Sequence, residues 1–218
     1  MTIRVVLADD QEMVRIGFAM ILGAEDGIEV IGQAGDGAEA AALIDRLRPD
    51  VALLDIRMPR LDGLQVCRRV TSALPDTAVV IVTTFGDPDY VDEALDSGAS
   101  GFLLKDSGPS LLVAAVRAAA AGDSLISPEV TVDLLARSRR GRSADPEATA
   151  RLAALTVRER EIAALLARGH TNAELAAELF LSLSTVKTHL ASIQRRLGAR
   201  NRVEIAAAVW ASGALDES

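Results

Sequence analysis

The sequence predicts an α/β domain built on a doubly wound (βα)₅ parallel sheet, followed by a small all-α domain of four helices. Three observations lead to this prediction. Five short, nearly continuous apolar runs alternate with helical patterns in residues 1–122, as in parallel sheets that are buried on both faces. Residues 151–218 carry helical patterns without such runs. Residues 123–150 are largely polar and rich in turn-forming residues, which predicts a linker.

The five apolar runs define the strands of the first domain, and helix-start signals lie between them. The strands are expected at residues 3–8, 29–34, 51–54, 78–82 and 101–104. Asp36 and Glu39 have the spacing of a capping box. Pro88, after Asp87, and Pro109 each stand where a first helical residue is expected. The alternation of the two element types predicts right-handed crossovers and therefore one parallel sheet.

One short helix is expected inside the linker, and four helices follow it. The linker helix is predicted from Ser127 to about Arg137, before a basic, turn-rich stretch whose arginines are interpreted as solvated side chains. A DNA-binding arm is the alternative interpretation of these arginines. Two further capping-box patterns, Thr156 with Glu159 and Thr171 with Glu174, begin the domain helices. These helices are expected near residues 157–168, 172–180, 184–197 and 202–211.

Composition narrows the class of protein. Half of the 218 residues are hydrophobic, which is enough for two separate cores. No apolar run reaches the roughly 18 to 20 residues of a membrane span, and the start lacks the pattern of a secretion signal, so we expect a cytoplasmic protein without a membrane partner. The single cysteine, Cys67, can form no internal disulfide and is expected to pack in the core.

Charge is divided unevenly along the chain. Residues 1–122 carry 10 basic and 19 acidic side chains, a net charge of −9, whereas residues 151–213 carry 9 and 5, a net charge of +4. A locally basic domain can contact the phosphates of DNA even in an acidic protein. The division predicts different partners for the two domains.

Acidic side chains stand where two predicted strands of the first domain end. Asp9 and Asp10 follow the first strand and Asp55 follows the third. In a doubly wound sheet these ends meet at the edge where ligands bind. Ionised carboxylates that converge there would repel one another, and Mg²⁺, which prefers oxygen ligands, would relieve the repulsion. We expect Asp10, Asp55 and the backbone carbonyl of Arg57 to hold Mg²⁺, with Asp9 contacting it through water.

Thr83 and Lys105 follow the fourth and fifth strands and complete this set. A carboxylate can attack a phosphoryl group, and the product then needs metal, ammonium and hydroxyl groups to balance its charge. With Asp55 as the acceptor, Thr83 and Lys105 would supply the hydroxyl and the ammonium. The sequence therefore predicts a phosphoryl-accepting site.

The first domain resembles the receiver domain of bacterial response regulators. The resemblance rests on the pair Asp9–Asp10, the loop from Asp55 to Gly63, the Thr83–Thr84 pair and the segment from Gly98 to Asp106. It implies that Asp55 accepts a phosphoryl group from the phosphohistidine of a sensor histidine kinase, with Mg²⁺. It also implies that Thr83 and Phe102 form a switch pair; without the family, Phe102 is simply a core aromatic residue.

Arg57 stands where acid-assisted aspartyl phosphatases carry a second Asp. The absence of that acid predicts that the protein is not an enzyme acting on small phosphate esters. It also leads to the hypothesis that the phosphorylated Asp55 turns over slowly, with Phe85 shielding it from water.

The second domain contains a helix, a short turn and a second helix, followed by a supporting helix. Val186, Leu190, Ile193 and Leu197 recur at helical spacing and are expected to face the core. Such a pair can place its second helix in the major groove of DNA. His170 and His189 are too isolated to suggest a metal site.

This domain resembles the LuxR-type helix-turn-helix, in residues 156–161, 169–176 and 183–190. The resemblance implies that Lys187 and Thr188 enter the groove, and that the neighbouring residues contact phosphates or brace the helix; these are Thr185, His189, Arg195 and Arg196. Val157 replaces the usual Pro, which should cost little. Ala191 stands where a polar side chain can occur, so that it would contact a thymine methyl or nothing.

Together the two resemblances indicate a regulator of the NarL/FixJ class. Phosphorylation of Asp55 is expected to promote homodimerisation and binding to paired promoter half-sites on double-stranded DNA. Two alternatives remain: an enzyme acting on small phosphorylated molecules, and a phosphate-independent regulator that uses its receiver domain only for contacts. The first is disfavoured by Arg57, and the second normally lacks part of the acidic site.

Overall fold

The computed structural model describes residues 2–84, 88–126 and 146–212. The chain divides into two compact units, one within residues 1–133 and the other within residues 134–218. None of the described helices combines the length and the apolar character that a membrane crossing requires.

The first unit alternates strands with helices, as predicted. Its elements are β1 (Ile3–Ala8), α1 (Glu12–Gly23), β2 (Ile28–Ala34), α2 (Gly37–Leu47), β3 (Val51–Asp55), α3 (Gly63–Ala73), β4 (Ala78–Thr83), α4 (Pro88–Asp96), β5 (Gly101–Leu104), α5 (Pro109–Ala121) and β6 (Leu125–Ile126).

The strands form one parallel sheet in the order β2-β1-β3-β4-β5-β6. The doubly wound parallel fold is therefore confirmed, with each of the five predicted strands present. The sixth strand was not predicted, because two residues are too few to give a periodic signal. It pairs with the start of β5, with Leu125 opposite Gly101 and Ile126 opposite Phe102.

The sheet is buried because its strands are apolar on both faces. All five residues of β3 are buried, which suits a central strand with helices on either side. One core packs α1 and α5 against a single face of the sheet and includes Leu7, Leu53, Val82 and Leu103. Cys67 on α3 is fully buried, as predicted.

The predicted starts of α2 and α4 are confirmed, except that one capping hydrogen bond differs from the predicted one. Asp36 caps α2 by accepting hydrogen bonds from the amides of Ala38 and Glu39, each at 2.9 Å. The predicted reciprocal bond is wrong, because the Glu39 carboxylate reaches one residue further and accepts from the amide of Gly35 at 3.0 Å. The Asp36 carboxylate also pairs with Arg60, in the loop after β3. Pro88 is the first residue of α4, as predicted, whereas Asp87 lies outside the described residues.

The second unit is entirely helical within the described residues. Its helices are α6 (Pro146–Ala153), α7 (Val157–Ala167), α8 (Asn172–Glu178), α9 (Leu183–Leu197) and α10 (Arg202–Ala211). The last four were predicted, and they enclose a core whose central members include Ile162, Leu175, Ile193 and Ile205.

Helix α6 was not predicted. It begins at Pro146, inside the segment interpreted as linker, although proline is a common first residue of a helix. The short linker helix predicted from Ser127 to about Arg137 lies outside the described residues.

Candidate functional site

The carboxyl ends of β1, β3 and β5 bring Asp9, Asp55 and Lys105 together. Strand β1 pairs with β3 so that Ala8 lies opposite Leu54, and the next residues, Asp9 and Asp55, stand at the same edge. The Nζ atom of Lys105 lies 2.7 Å from Oδ2 of Asp9 and 3.2 Å from Oδ2 of Asp55. All three side chains are more than nine-tenths buried. One ammonium group therefore compensates two buried carboxylates.

Asp10 adds a third carboxylate to this edge. One oxygen each from Asp9, Asp10 and Asp55 lies within 4.8 Å of the others, and Asp10 is exposed whereas the other two are buried. Three carboxylate oxygens at this separation, open to solvent on one side, suit a hard divalent cation that keeps part of its water shell. The donor set therefore fits Mg²⁺.

Asp9 is held from two further directions. Its Oδ1 atom accepts a hydrogen bond from the amide of Gln11 at 2.9 Å. Its backbone carbonyl accepts one from Nη1 of Arg15 at 2.6 Å. Arg15 was missed in the sequence because it acts on a carbonyl group rather than on a side chain. It ties the first turn of α1 to the acidic edge.

The electrostatics of the site favour cation binding. The pKa of Asp55 is raised from 3.8 to about 6; burial contributes most, the charge of Asp9 acts in the same direction, and Lys105 opposes both effects. A smaller contribution from Asp10 also raises it. Additional positive charge at this position would therefore favour the ionised form of Asp55.

The loop after β3 is fixed by a close approach of two backbone segments. A Cβ atom at Gly63 would lie 2.0 Å from the carbonyl oxygen of Asp55, so that only glycine fits there. The amide of Gly63 donates to the carbonyl of Ile56 at 2.9 Å. Asp62 caps α3 through a full capping box with Gln65 that the sequence analysis did not identify. These contacts set the path of the segment that carries Arg57, whose guanidinium carbon lies 6.0 Å from the centre of the Tyr90 ring.

Thr83 and Phe102 lie on adjoining strands at the same sheet face. Phe102 is opposite Ile81, and Thr83 is opposite Leu104. Side chains alternate along strands, so both point away from the core that contains Val82 and Leu103. Thr83 is 2% exposed and Phe102 is fully buried. Phe85, the predicted shield, lies outside the described residues.

In the second unit, α8 and α9 are joined by a short turn that ends at Ser182, the N-cap of α9. The four apolar residues predicted to face the core are all buried, namely Val186, Leu190, Ile193 and Leu197. Lys187, Thr188, Ala191 and Arg195 are exposed on the other side of the helix. The helix therefore presents a mixed basic, hydroxyl and small apolar surface.

The candidate DNA-contacting residues of α9 differ in exposure and in the hydrogen bonds that they already make. Thr185 and His189 are half-buried, and the Thr185 hydroxyl lies 2.8 Å from that of Ser182. The Thr188 hydroxyl donates to the carbonyl of Ser184 at 2.9 Å. The Arg195 Nε atom donates to the carbonyl of Ala191 at 3.3 Å, along its own helix.

The guanidinium group of Arg196 contacts other residues of the same unit. Its Nε atom lies 3.3 Å from Oε1 of Glu159, and its Nη1 donates to the carbonyl of Ala154 at 3.1 Å. The same Glu159 oxygen accepts a hydrogen bond from Ser192 at 2.7 Å. Glu159 thus joins the start of α7 to α9. The Arg196 guanidinium thus contacts Glu159 and Ala154, while its side chain is 47% exposed.

Glu159 is 4% exposed, and hydrogen bonds explain its electrostatics. The Ser192 hydroxyl and the Thr156 amide lower its pKa from 4.5 to about 2, burial opposes them, and Arg196 contributes least. The Glu159 carboxylate therefore stays ionised in the folded protein, and its contacts with Ser192 and Arg196 hold α9 in place. The sequence marked Glu159 as a capping-box residue and gave no sign of its contact with Ser192.

Comparison with known families assigns both units. The family model described as "Response regulator receiver domain" matches residues 5–117, and that of the "Bacterial regulatory proteins, luxR family" matches residues 153–209. The chain belongs to the response regulators. Both resemblances drawn from the sequence are confirmed.

This response regulator is similar to proteins that it matches over nearly their whole length. It is 40% identical to the transcriptional regulatory protein LiaR of Bacillus subtilis, over 96% of each chain. It is 37% identical to the DNA-binding transcriptional activator DevR/DosR of Mycobacterium tuberculosis, over 96% of this chain and 94% of that one. The crystal structure of the response regulator ChrA, from a heme-sensing two-component system, matches with 38% identity and a TM-score of 0.54, over 96% of each chain.

The chain is therefore a DNA-binding transcriptional response regulator of a two-component system. Its receiver domain implies a histidine kinase as partner, and its luxR-type unit implies DNA binding. The family consists of transcription regulators rather than enzymes with small-molecule substrates.

Proposed function

We propose that phosphorylation of Asp55 switches this response regulator between two states of DNA binding. The Asp55 carboxylate would attack the phosphorus of a kinase phosphohistidine, so that a P–O bond forms as the P–N bond breaks and the imidazole leaves. The observation that carries the proposal is the contact of one ammonium, Lys105, with both Asp9 and Asp55. Lys105 can remain with the product and balance the phosphoryl charge.

Mg²⁺ would supply the remaining positive charge at the phosphoryl oxygens. Asp10, Asp55 and the Arg57 carbonyl are the proposed ligands, and Asp9 is proposed to contact the ion through water. The separation of the three carboxylates supports this assignment. The raised pKa of Asp55 supports it as well, because a bound cation would favour the ionised nucleophile.

Thr83 and Phe102 are the proposed switch pair. Both are buried on one face of the sheet, at neighbouring strands, so that a movement of the Thr83 hydroxyl toward a phosphoryl group would alter the packing around Phe102. Such a change would bias the receiver toward a second state, expose a dimerisation surface and lead to binding of paired half-sites.

In the DNA-binding unit, Lys187 and Thr188 are proposed to read base edges, and Thr185, His189 and Arg195 to contact the backbone. The exposure of Lys187, Thr188 and Arg195 supports these roles. Arg196 is proposed to brace α9 through Glu159. A regulator that binds bacterial promoters would act in the cytoplasm.

The test uses the full chain with acetyl phosphate and MgCl₂ as phosphodonor and cofactor. Incorporation of one phosphoryl group, its loss in Asp55→Asn, and a phosphate-dependent rise in affinity for duplexes selected from a random pool are the expected results. Asp62→Asn, at the N-cap of α3, is a control for removing a carboxylate near the site. Equal stimulation of DNA binding in Asp55→Asn contradicts the proposal, and phosphorylation without an effect on DNA binding indicates a phosphate-independent regulator.

A further inference from the structure

Along α9, Lys187 lies between two exposed apolar residues, Leu183 and Ala191, and Arg195 follows at the same spacing. Leu183, Lys187 and Ala191 are four residues apart and therefore lie in one row along the helix. Leu183 is 53% exposed, and Lys187 and Ala191 are also exposed. We call these three residues the outer row; Val186 and Leu190, which neighbour it around the helix, are buried, so the row lies beside the face that packs on the core.

The hydrogen-bonding capacity of the outer row is small. Lys187 has three donors and no acceptor, and among the bases guanine offers it two adjacent acceptors in the major groove, O6 and N7. The neighbouring Thr188 already donates its hydroxyl to Ser184 at 2.9 Å. Leu183 and Ala191 can neither donate nor accept through their side chains.

An apolar side chain in the major groove has a single favourable target. The thymine C5-methyl group is the largest apolar feature of the base edges there, larger than the C5–H of cytosine, so a methyl contact is the base feature that Leu183 and Ala191 match best. A polar edge opposite Leu183 would lose water without gaining a partner, which disfavours that base. Both residues can thus discriminate between bases.

We infer that Leu183 and Ala191 read thymine methyl groups on either side of a guanine that is read by Lys187. This inference rests on the proposed role of α9 as the recognition helix. The distance from Leu183 to Ala191 along the helix is about 12 Å. At roughly 3.4 Å per base step this spans about three to four base pairs. The favoured half-site therefore has a guanine with methyl-bearing pyrimidines about two base pairs away on each side, on either strand.

The experiment separates the methyl group from every other property of the base. Duplexes bound by the full chain are selected from a random pool, and each thymine of the selected half-site is then replaced by deoxyuridine, which lacks only the methyl group. We expect a loss of affinity of roughly three- to tenfold at the two positions that flank the guanine. Cytosine placed at these positions should bind more weakly than 5-methylcytosine.

Variants assign each methyl group to its side chain. Leu183→Ala should abolish the effect of deoxyuridine at one flanking position and leave the other unchanged, and Ala191→Gly should do the opposite. Phe180→Ala is a matched control, because Phe180 is a large apolar residue that is 95% exposed in the turn before the helix and lies outside the outer row. Fluorescence of Trp210, the single tryptophan, verifies that each variant remains folded.

The experiment distinguishes failure of the methyl-reading inference from failure of the proposed DNA-binding function. Selection of a half-site whose deoxyuridine forms bind as tightly as the thymine forms overturns the inference and leaves DNA reading intact. The same holds if Leu183→Ala retains both methyl effects. Absence of any enriched sequence overturns the inference together with the role of α9.

Discussion

The ammonium of Lys105 lies 2.7 Å from a carboxylate oxygen of Asp9, and this contact joins the end of β5 to the end of β1 across the intervening strands. Both side chains are buried, so the pair cannot be screened by solvent as a surface pair is. The stability of the receiver and the chemistry of its acidic edge therefore depend on the same positive charge.

Replacement of Lys105 by methionine should destabilise the receiver. Asp9 and Asp55 would remain buried without a counter-charge, and the free energy of unfolding at pH 7 should fall by about 2 to 3 kcal/mol. Denaturation followed by the fluorescence of Tyr90, the single tyrosine, measures the change in this unit. Lys187→Met in the other unit is the control and should leave the receiver unchanged. A loss in Lys105→Met that is no larger than in the control contradicts the expectation.

Asp55→Asn should stabilise the metal-free receiver at neutral pH. The pKa of Asp55 is raised from 3.8 to about 6, so the folded state binds more protons than the unfolded state between these values. Stability of the wild type is therefore lost as pH rises from about 4 to 6, whereas the variant lacks this loss. The variant should be more stable by about 1 to 3 kcal/mol at pH 7.5, with no difference below pH 4.

Thermal melts in EDTA over this pH range measure the difference between the two proteins. Addition of MgCl₂ should raise the melting temperature of the wild type and have little effect on Asp55→Asn. The difference in melting temperature between the two proteins should therefore become smaller. A variant that is less stable than the wild type at every pH would show that burial does not penalise the Asp55 charge.

Gly63→Ala should disrupt the loop after Asp55. The new Cβ would lie 2.0 Å from the Asp55 carbonyl oxygen, and relief of this clash requires α3 or β3 to move. We expect a loss of about 3 kcal/mol in the stability of the receiver and weaker Mg²⁺ binding, measured by calorimetry. Gly17→Ala in α1 is the matched control, because no atom beyond its chain neighbours and the backbone of its own helix lies within 4 Å of its Cβ position. Alanine in that helix interior should stabilise by about 0.5 to 1 kcal/mol. Similar losses in both variants would refute the steric argument.

Glu159→Gln should weaken the DNA-binding unit and change its response to acid. The loss of charged hydrogen bonds should lower stability at pH 7 by about 1 to 3 kcal/mol. The pKa of Glu159 is lowered from 4.5 to about 2, so its stabilisation is present above pH 4.5 and is lost as pH falls toward 2. The variant should therefore show a flatter acid profile in Trp210 fluorescence. Glu161→Gln, which affects an exposed pair with Arg158, is the control and should change stability by less than about 0.5 kcal/mol.

Arg57→Asp should speed the loss of phosphate from Asp55. A carboxyl group two residues after the acceptor could act on the water or on the leaving oxygen, and a rise in the hydrolysis rate of roughly tenfold or more is expected. The decay of a ³²P label on isolated protein measures the rate, with Arg57→Gln as the control for loss of charge. A half-life of seconds for the wild-type phosphoprotein would contradict the slow turnover that Arg57 predicts.

The positions of the acidic residues could be predicted because they depend on strand ends. Buried parallel strands leave long apolar runs, and a residue such as Asp55 that ends one of these runs must lie at the carboxyl edge of the sheet. Neither Arg15 nor Gly63 could be placed in this way. Arg15 acts on a backbone carbonyl, and Gly63 is required by the approach of two backbone segments, which no local pattern encodes.

Two identical local patterns show the same limit in the second unit. Thr156 with Glu159 and Thr171 with Glu174 both form capping boxes, as predicted. Glu159 is buried and also accepts a hydrogen bond from Ser192, 33 residues later, whereas the hydrogen bonds of Glu174 are made within its capping box. Spacing in the sequence determines the cap, and tertiary packing determines which of the two glutamates also supports α9.

The pairing of Arg196 with Glu159 has a consequence for the ionic-strength dependence of promoter binding. A cation that contacts a phosphate displaces condensed counterions from the duplex and adds about 0.9 to the slope of log affinity against log salt concentration. Arg196 already directs its Nε and Nη1 atoms inward. With Nε and Nη1 engaged by Glu159 and Ala154 and 47% of its side chain exposed, Arg196 should add less than a full phosphate contact, so a slope counted from every arginine on α9 would be too steep.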